Sequence, residues 1–289
     1  MKLKVICILI AAASLLAVGI LAMVVTRLKT KINTNKIAFT SIDDVPREYW
    51  SKLAEKIIFF GHQSVGFNII DGIIDIINER DYIELNIIES CEQSVFDRPV
   101  FAHSQVGMNT KPFSKIKRFE EIMNSGLGSK VDIAFFKFCY VDIMKDSDPR
   151  EIFDGYSAAI KKLKNQYPET TFLHVTVPIR SAPMSIKKIL KQSVKLIIGK
   201  PGIMEDNMVR QCYNKLLTTA YSETEPLFDL ALIESVNTSG FCCYISKGME
   251  NVCVMSPEYT KDGGHLNILG RWKVAEQLLI ILAELSGRS

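Results

Sequence analysis

Only four histidines occur in 289 residues, scattered along the chain, and there is no Cys-x-x-Cys pair. No spacing here would cage a metal ion, so neither a metal nor any other cofactor is expected. The net charge is only +3, and no basic cluster is interleaved with aromatics, which sets nucleic-acid binding aside. No internal repeat and no second apolar core is present, while 47% hydrophobic content suffices for one full core. Charge is missing altogether from Val5 to Val25, a run long enough to cross a hydrocarbon core as a helix. Gly-Ile-Leu-Ala before Met23 is a poor cleavage site, and Cys7 lies too early for a lipoprotein signal.

Residues 1–26 are therefore expected to be an uncleaved signal anchor, with a cleaved signal and secretion as the alternative. Lys2 and Lys4 precede the run and Arg27, Lys29 and Lys31 follow it, so the flanking charge does not set its orientation. Single N-terminal spans commonly leave the following domain outside the cytoplasm, and an extracytoplasmic domain is the expectation. Residues 27–47, rich in Lys, Asn and Thr, read as a linker, and 48–289 as the folded domain. Of the seven cysteines, Cys242 or Cys243 has the spacing to close a short loop with Cys253, whereas Cys139 reads as a small core residue.

What is present is an alternation of buried strands and helices. Ile57 to Phe60 is a β-branched and aromatic run of the kind buried on both sheet faces. After Gly61-His62-Gln63-Ser64 the apolar residues recur with helical spacing from Val65 to Ile77. Further strands are read at Tyr82–Glu89, Val131–Tyr140, Thr171–Val177 and Leu227–Ile233. Helices are read at 115–124, 149–166, 205–222 and 266–285. Residues 90–114 read as a long loop, of the kind that is usually functional or mobile. The basic amphipathic piece at 185–200 reads as a solvated helix face or a membrane-surface element. The pattern predicts an α/β fold: a three-layer α/β/α domain with a mainly parallel sheet of about five strands. Sites in such folds form at the carboxyl ends of the strands.

Ser64 falls at that edge, at a helix N-terminus. Its hydroxyl suits either of two roles, a cap on the first free N–H groups or a nucleophile whose oxyanion those groups stabilise. Near the C-terminus, Asp262 and His265 are separated by two glycines just ahead of a helix. They either shape the helix entry or form the orienting half of a Ser-His-Asp triad. Lys137 stands out in its apolar strand, at the exposed end or turned into a site. His62 is a turn histidine or an alternative base, His103 a possible substrate contact, and His174 a satisfied core residue. Asp229 and Glu234 suit either a bond to His265 or a turn cap.

With FFGHQSVG following the first strand and DGGHLN before the last helix, the chain resembles the SGNH (GDSL-like) hydrolases and acyltransferases from about residue 55 onward. The resemblance implies Ser64 as nucleophile, His265 as general base and Asp262 as its orienting partner. It also implies oxyanion donors from the Ser64 N–H and from a glycine of a second block, for which Gly107 in HSQVGMN is the candidate. The family's third block, Gly-x-Asn-Asp, is here Cys139-Tyr140-Val141-Asp142. Asp142 matches the aspartate, Val141 has no donor, and Asn109 is the candidate replacement. Losing such a donor unreplaced costs about 100- to 1000-fold. The implied activity is that of a serine esterase or O-acyltransferase on an acylated small molecule or polysaccharide, such as an acetylated cell-surface glycan. The alternative is a non-catalytic relative that binds glycan or scaffolds a surface assembly.

Overall fold

A computed structural model describes residues 26–29, 39–182, 202–247 and 250–287. The expected anchor, up to Val25, and the basic piece at 185–200 lie outside the described residues. Among those described, no helix is long and apolar enough to cross a membrane.

The strands are β1 (Thr26–Lys29), β2 (Ile57–His62), β3 (Ile87–Glu89), β4 (Val100–Gln105), β5 (Ile133–Phe136), β6 (Thr171–Phe172), β7 (His174–Val175), β8 (Leu227–Phe228), β9 (Phe241–Lys247) and β10 (Glu250–Cys253). The helices are α1 (Arg47–Ala54), α2 (Val65–Glu79), α3 (Pro112–Asn124), α4 (Pro149–Gln166), α5 (Ile203–Tyr221), α6 (Leu230–Ser235) and α7 (Ile268–Gly287). Five parallel strands form the main sheet in the order β3-β4-β2-β5-β6. The chain through β6 and β7 is one extended run. Thr171 and Leu173 donate to β5's side, and His174 and Thr176 to β8's side, so β8 continues the sheet.

The two faces follow from strand alternation. Ile58, Phe60, Phe101, Ile133 and Phe135 pack under α1, α2 and α7. Phe59, Val100, Ala102, Ala134 and Phe136 pack under α3, α4 and α5. The result is the three-layer arrangement expected from the alternating pattern. A satellite antiparallel sheet, β1-β9-β10, lies beside it. The segment read as the end of the linker belongs to the domain: Ile42 and Val45 are buried, and the Phe39 N–H donates to Glu284.

Several expected elements differ. The 90–114 loop contains β4, the strand between β2 and β3. Its polar members hid it, and the structure satisfies one of them across the ladder, where His62 Nε2 and His103 Nδ1 are 3.0 Å apart. The strand expected at 82–89 pairs only over Ile87–Glu89, and that at 131–140 only over Ile133–Phe136. The strand expected to reach Ile233 ends at Phe228, because Asp229 caps α6 by accepting from the Leu232 N–H. The β9-β10 hairpin had no counterpart in the sequence reading. All six described cysteines are free thiols, so the short loop to Cys253 is not closed by a bond.

The chain passes from β2 to β3 and β4 on one side, then returns to β5 on the other. That reversal opens a crevice at the carboxyl end of β2, where α/β sheets place their ligands.

Candidate active site

The turn after β2 is built by close approach. A Cβ on Gly61 would lie 2.8 Å from Val106 Cγ1, so a side chain there would push the loop after β4 away. The turn ends at Ser64 with φ 53° and ψ −110°, a conformation disfavoured for any residue with a Cβ. Ser64 occupies the N-cap position of α2, yet its hydroxyl makes no cap hydrogen bond. It lies instead 2.8 Å from His265 Nε2. Strain is thus held here without the usual capping gain.

Asp262 sets the imidazole. Its Oδ2 is 2.6 Å from His265 Nδ1, and its Oδ1 accepts from the N–H groups of His265 and Gly264, each at 2.8 Å. A carboxylate only accepts, so Nδ1 carries the proton and Nε2 is left to accept from Ser64. Partial desolvation works to raise the Asp262 carboxyl, but the hydrogen bond from the His265 ring and those from the two N–H groups hold it well below the usual range. The His265 loop is fixed to α2, the helix that Ser64 precedes, by the Leu266 N–H, which donates to Asn68 Oδ1 at 3.2 Å. Asn267 ends the loop by capping α7 through the Gly270 N–H.

Lys137 orients the Gln63–Ser64 peptide. It is fully buried, and its Nζ donates to the Gln63 carbonyl at 3.0 Å, with Cys139 Sγ at 3.4 Å from the same oxygen. A trans peptide places N–H opposite C=O. Anchoring the Gln63 oxygen inward therefore turns the Ser64 N–H outward, where it meets no described acceptor. The Gln63 side chain donates to the carbonyls of Val106 and Gly107, which ties the Ser64 turn to the Gly107 loop. Gly107 has φ +58°, and a Cβ there would lie 2.5 Å from the Lys115 backbone nitrogen. Only glycine fits. Asn109 is exposed, its Oδ1 accepting from Lys115 Nζ at 3.0 Å, which leaves Nδ2 as a donor.

The structure thus brings Ser64, His265 and Asp262 together, with the Gly107 loop tied beside them. It does not bring four other candidates to the surface. His62 and His103 pair beneath the first turn of α2, with His62 pushed down to about 2 by burial and by the nearby Lys137 charge. Lys137 is interior, and burial lowers its ammonium. Asp142 is ion-paired to Lys115 at 2.5 Å with both side chains fully buried. None of these four presents a surface that a substrate can touch. His174 is a satisfied core residue, between Tyr156 and Glu225. Neither Asp229 nor Glu234 meets His265, since Glu234 accepts from the Ile179 N–H.

Glu234 carries a pH prediction. Burial pushes its carboxyl up to about 8, only partly opposed by the Ile179 N–H. It keeps its proton in the folded protein where the unfolded chain has already lost it. Its contribution is fully present below the ordinary carboxyl pKa and is lost as pH rises through about 8. Glu234→Gln is expected to be indistinguishable from wild type in urea unfolding at pH 4 and more stable by a few kcal/mol at pH 9.

Tyr140 and Arg180 were not singled out in the sequence. The Tyr140 ring sits edge-on to His265, centroids 5.9 Å apart, and a Cβ on Gly264 would strike it at 2.9 Å. Arg180 lies over the same ring, 5.3 Å from guanidinium carbon to centroid. Tyr140 stood within the altered third block, where it was legible as a residue at the strand end but not as a wall of the site.

No family model and no curated protein matches this chain. Among solved structures it is similar to a Streptococcus pneumonia protein provisionally described as a platelet activating factor. That match has 16% identity and a TM-score of 0.47, and covers 80% of this chain and 87% of the other. It is also similar to an acetyl esterase mutant with acetate ion, at 10% identity and TM-score 0.45, covering 80% and 97%. A third is the periplasmic domain of a lipopolysaccharide acetyltransferase from Salmonella ser. Paratyphi A, at 12% identity and TM-score 0.38, covering 80% and 93%.

Proposed function

We propose that this chain is a serine ester hydrolase or O-acyltransferase of the SGNH type, acting on acetyl or similarly small acyl esters of a cell-surface glycan. One observation carries the reading. Ser64 leaves its cap role, accepts backbone strain, and points its hydroxyl at an imidazole whose far nitrogen is held by a carboxylate. No structural need of the helix explains that arrangement.

The chemistry follows from the geometry. His265 Nε2 takes the Ser64 hydroxyl proton as Oγ attacks the ester carbonyl. The Ser64 N–H, with Gly107 N–H and Asn109 Nδ2, receives the oxyanion. Collapse expels the alcohol, which takes its proton from His265, and leaves an acyl-serine. Water or an acceptor hydroxyl, deprotonated by His265, then releases the acyl group. Ser64 is half-buried and His265 exposed, so the ester is presented on a shallow surface rather than swallowed, which suits an acyl group borne on a polymer. The apolar run before Thr26 would hold the domain at a membrane, on its outer side.

The test is labelling of the full-length protein with a fluorophosphonate alongside p-nitrophenyl acetate turnover. The expected result is one covalent adduct, mapped to Ser64 by peptide mass, together with ester hydrolysis. A folded protein that neither labels nor turns over p-nitrophenyl acetate or an acetylated polysaccharide would move the assignment to a glycan-binding protein.

A further inference from the structure

We infer that Arg180 forms an anion subsite beside the triad, so that the ester acted on is carried by a molecule bearing a carboxylate or phosphate close to the scissile bond. The inference rests on the esterase reading for its link to turnover, but the subsite itself stands on four observations.

First, the guanidinium is uncompensated. All 32 aspartates and glutamates of the chain fall within the described residues, and none forms an ion pair with Arg180. Its Nε donates to the Gly263 carbonyl at 3.4 Å, and its two terminal nitrogens meet no described acceptor. That leaves the fork that recognises carboxylate and phosphate in a bidentate fashion. Second, the backbone that carries it is held on both sides. The Asn207 side chain accepts from the Arg180 N–H at 3.1 Å and donates to the Arg180 carbonyl at 2.8 Å, and the Met255 N–H donates to the same carbonyl.

Third, the neighbouring arginine serves as an internal contrast. Arg210 also lies near the Tyr140 ring, at 5.9 Å, but it is buried and bonded within the protein. It donates to the Tyr140 carbonyl and to Asn207, with Asp206 at 3.8 Å. Arg210 braces the wall, whereas Arg180 is left half-exposed with its charge unspent. Fourth, the guanidinium lies close to the triad. Tyr140 bridges the guanidinium and the His265 imidazole, and Gly263 and Gly264 put no side chain between them. A ligand anion on Arg180 therefore sits one aromatic ring away from the general base.

The test uses the full-length protein and three acetate esters: phenyl acetate, 3-acetoxybenzoate and 3-acetoxyphenyl phosphate. Wild type is expected to favour at least one anionic ester over phenyl acetate by about tenfold or more in kcat/KM, carried mainly in KM. Arg180→Met is expected to bring that ratio to about one, and Arg180→Lys to leave it intermediate, because the charge stays while the fork is lost. A preference confined to one anionic ester identifies the carrier as carboxylate or phosphate. Binding of benzoate and phenyl phosphate to Ser64→Ala, with and without Arg180→Met, is read in parallel by calorimetry. About tenfold weaker binding in the double variant supports the subsite even if no ester is turned over, in which case the esterase reading alone fails. Equal binding, or a wild-type ratio near one, overturns the subsite.

Discussion

Asp262→Asn is expected to lower p-nitrophenyl acetate turnover by about 10⁴-fold while leaving the fold intact. The size of that effect follows from which oxygen does what. Oδ1 is held by two backbone N–H groups, while Oδ2 alone meets the imidazole. An asparagine keeps its oxygen where the two N–H groups are, which places its NH₂ against Nδ1. The imidazole then accepts at Nδ1 and carries its proton on Nε2, where it can no longer take one from Ser64. The base is present, correctly placed, and in the wrong tautomer. Ser64→Ala and His265→Ala are expected to cost about 10⁴-fold or more each, and together no more than either alone, because the two act as one unit. A steady-state rate for Asp262→Asn within tenfold of wild type would mean that this carboxylate does not orient the base. Near-additive losses for the Ser64 and His265 variants would mean that they do not work together.

Local pattern made the frame legible. The strand at Ile57, the helix from Val65 and the helix from Pro149 to Gln166 announce themselves by uninterrupted apolar runs, by helical periodicity and, for the last, by Asp148 capping a proline-led first turn. The elements that escaped are those whose logic is tertiary. β4 carries His103 and Ser104, buried polar residues, and the partner of His103 is His62 on the neighbouring strand. The strand after residue 131 ends at Phe136, and the next residue, Lys137, turns its side chain inward to the Gln63 carbonyl, a contact 74 positions away in sequence. Ser64, Asp262 and His265 were readable because the turn at Ser64 and the Asp-x-x-His loop are each local signatures. Tyr140 and Arg180 carry no signature. They flank the site only because β5 and the β6–β7 run end at the same edge. His62, Lys137 and Asp142 misled for the converse reason. A polar residue in a motif looks like a contact, and only burial reveals it as a support.

Asp142 is the clearest of those supports, and its ion pair carries the largest expected effect on stability. Lys115→Met leaves a fully buried carboxylate without its cation and should destabilise the domain by about 3–5 kcal/mol in denaturant unfolding. The pair also braces the site. Asp142 Oδ1 accepts from the Thr110 N–H at 2.8 Å, its Oδ2 from the Cys139 N–H at 2.6 Å, and Lys115 reaches onward to Asn109. Through these bonds one carboxylate ties the loop bearing Gly107 and Asn109 to the loop bearing Tyr140. Thr110 itself sits at φ 67°, a strained conformation, with its N–H received by that carboxylate. Stability and turnover are therefore expected to separate in the double variant Lys115→Met with Asp142→Leu. Removing both charges should restore much of the lost stability, because a buried pair is readily replaced by apolar packing. Turnover should stay low, by about 100-fold, because the Thr110 and Cys139 N–H groups lose their acceptor and the oxyanion donors lose their registration. Recovery of turnover in step with stability would show that the pair holds the domain together without placing the donors.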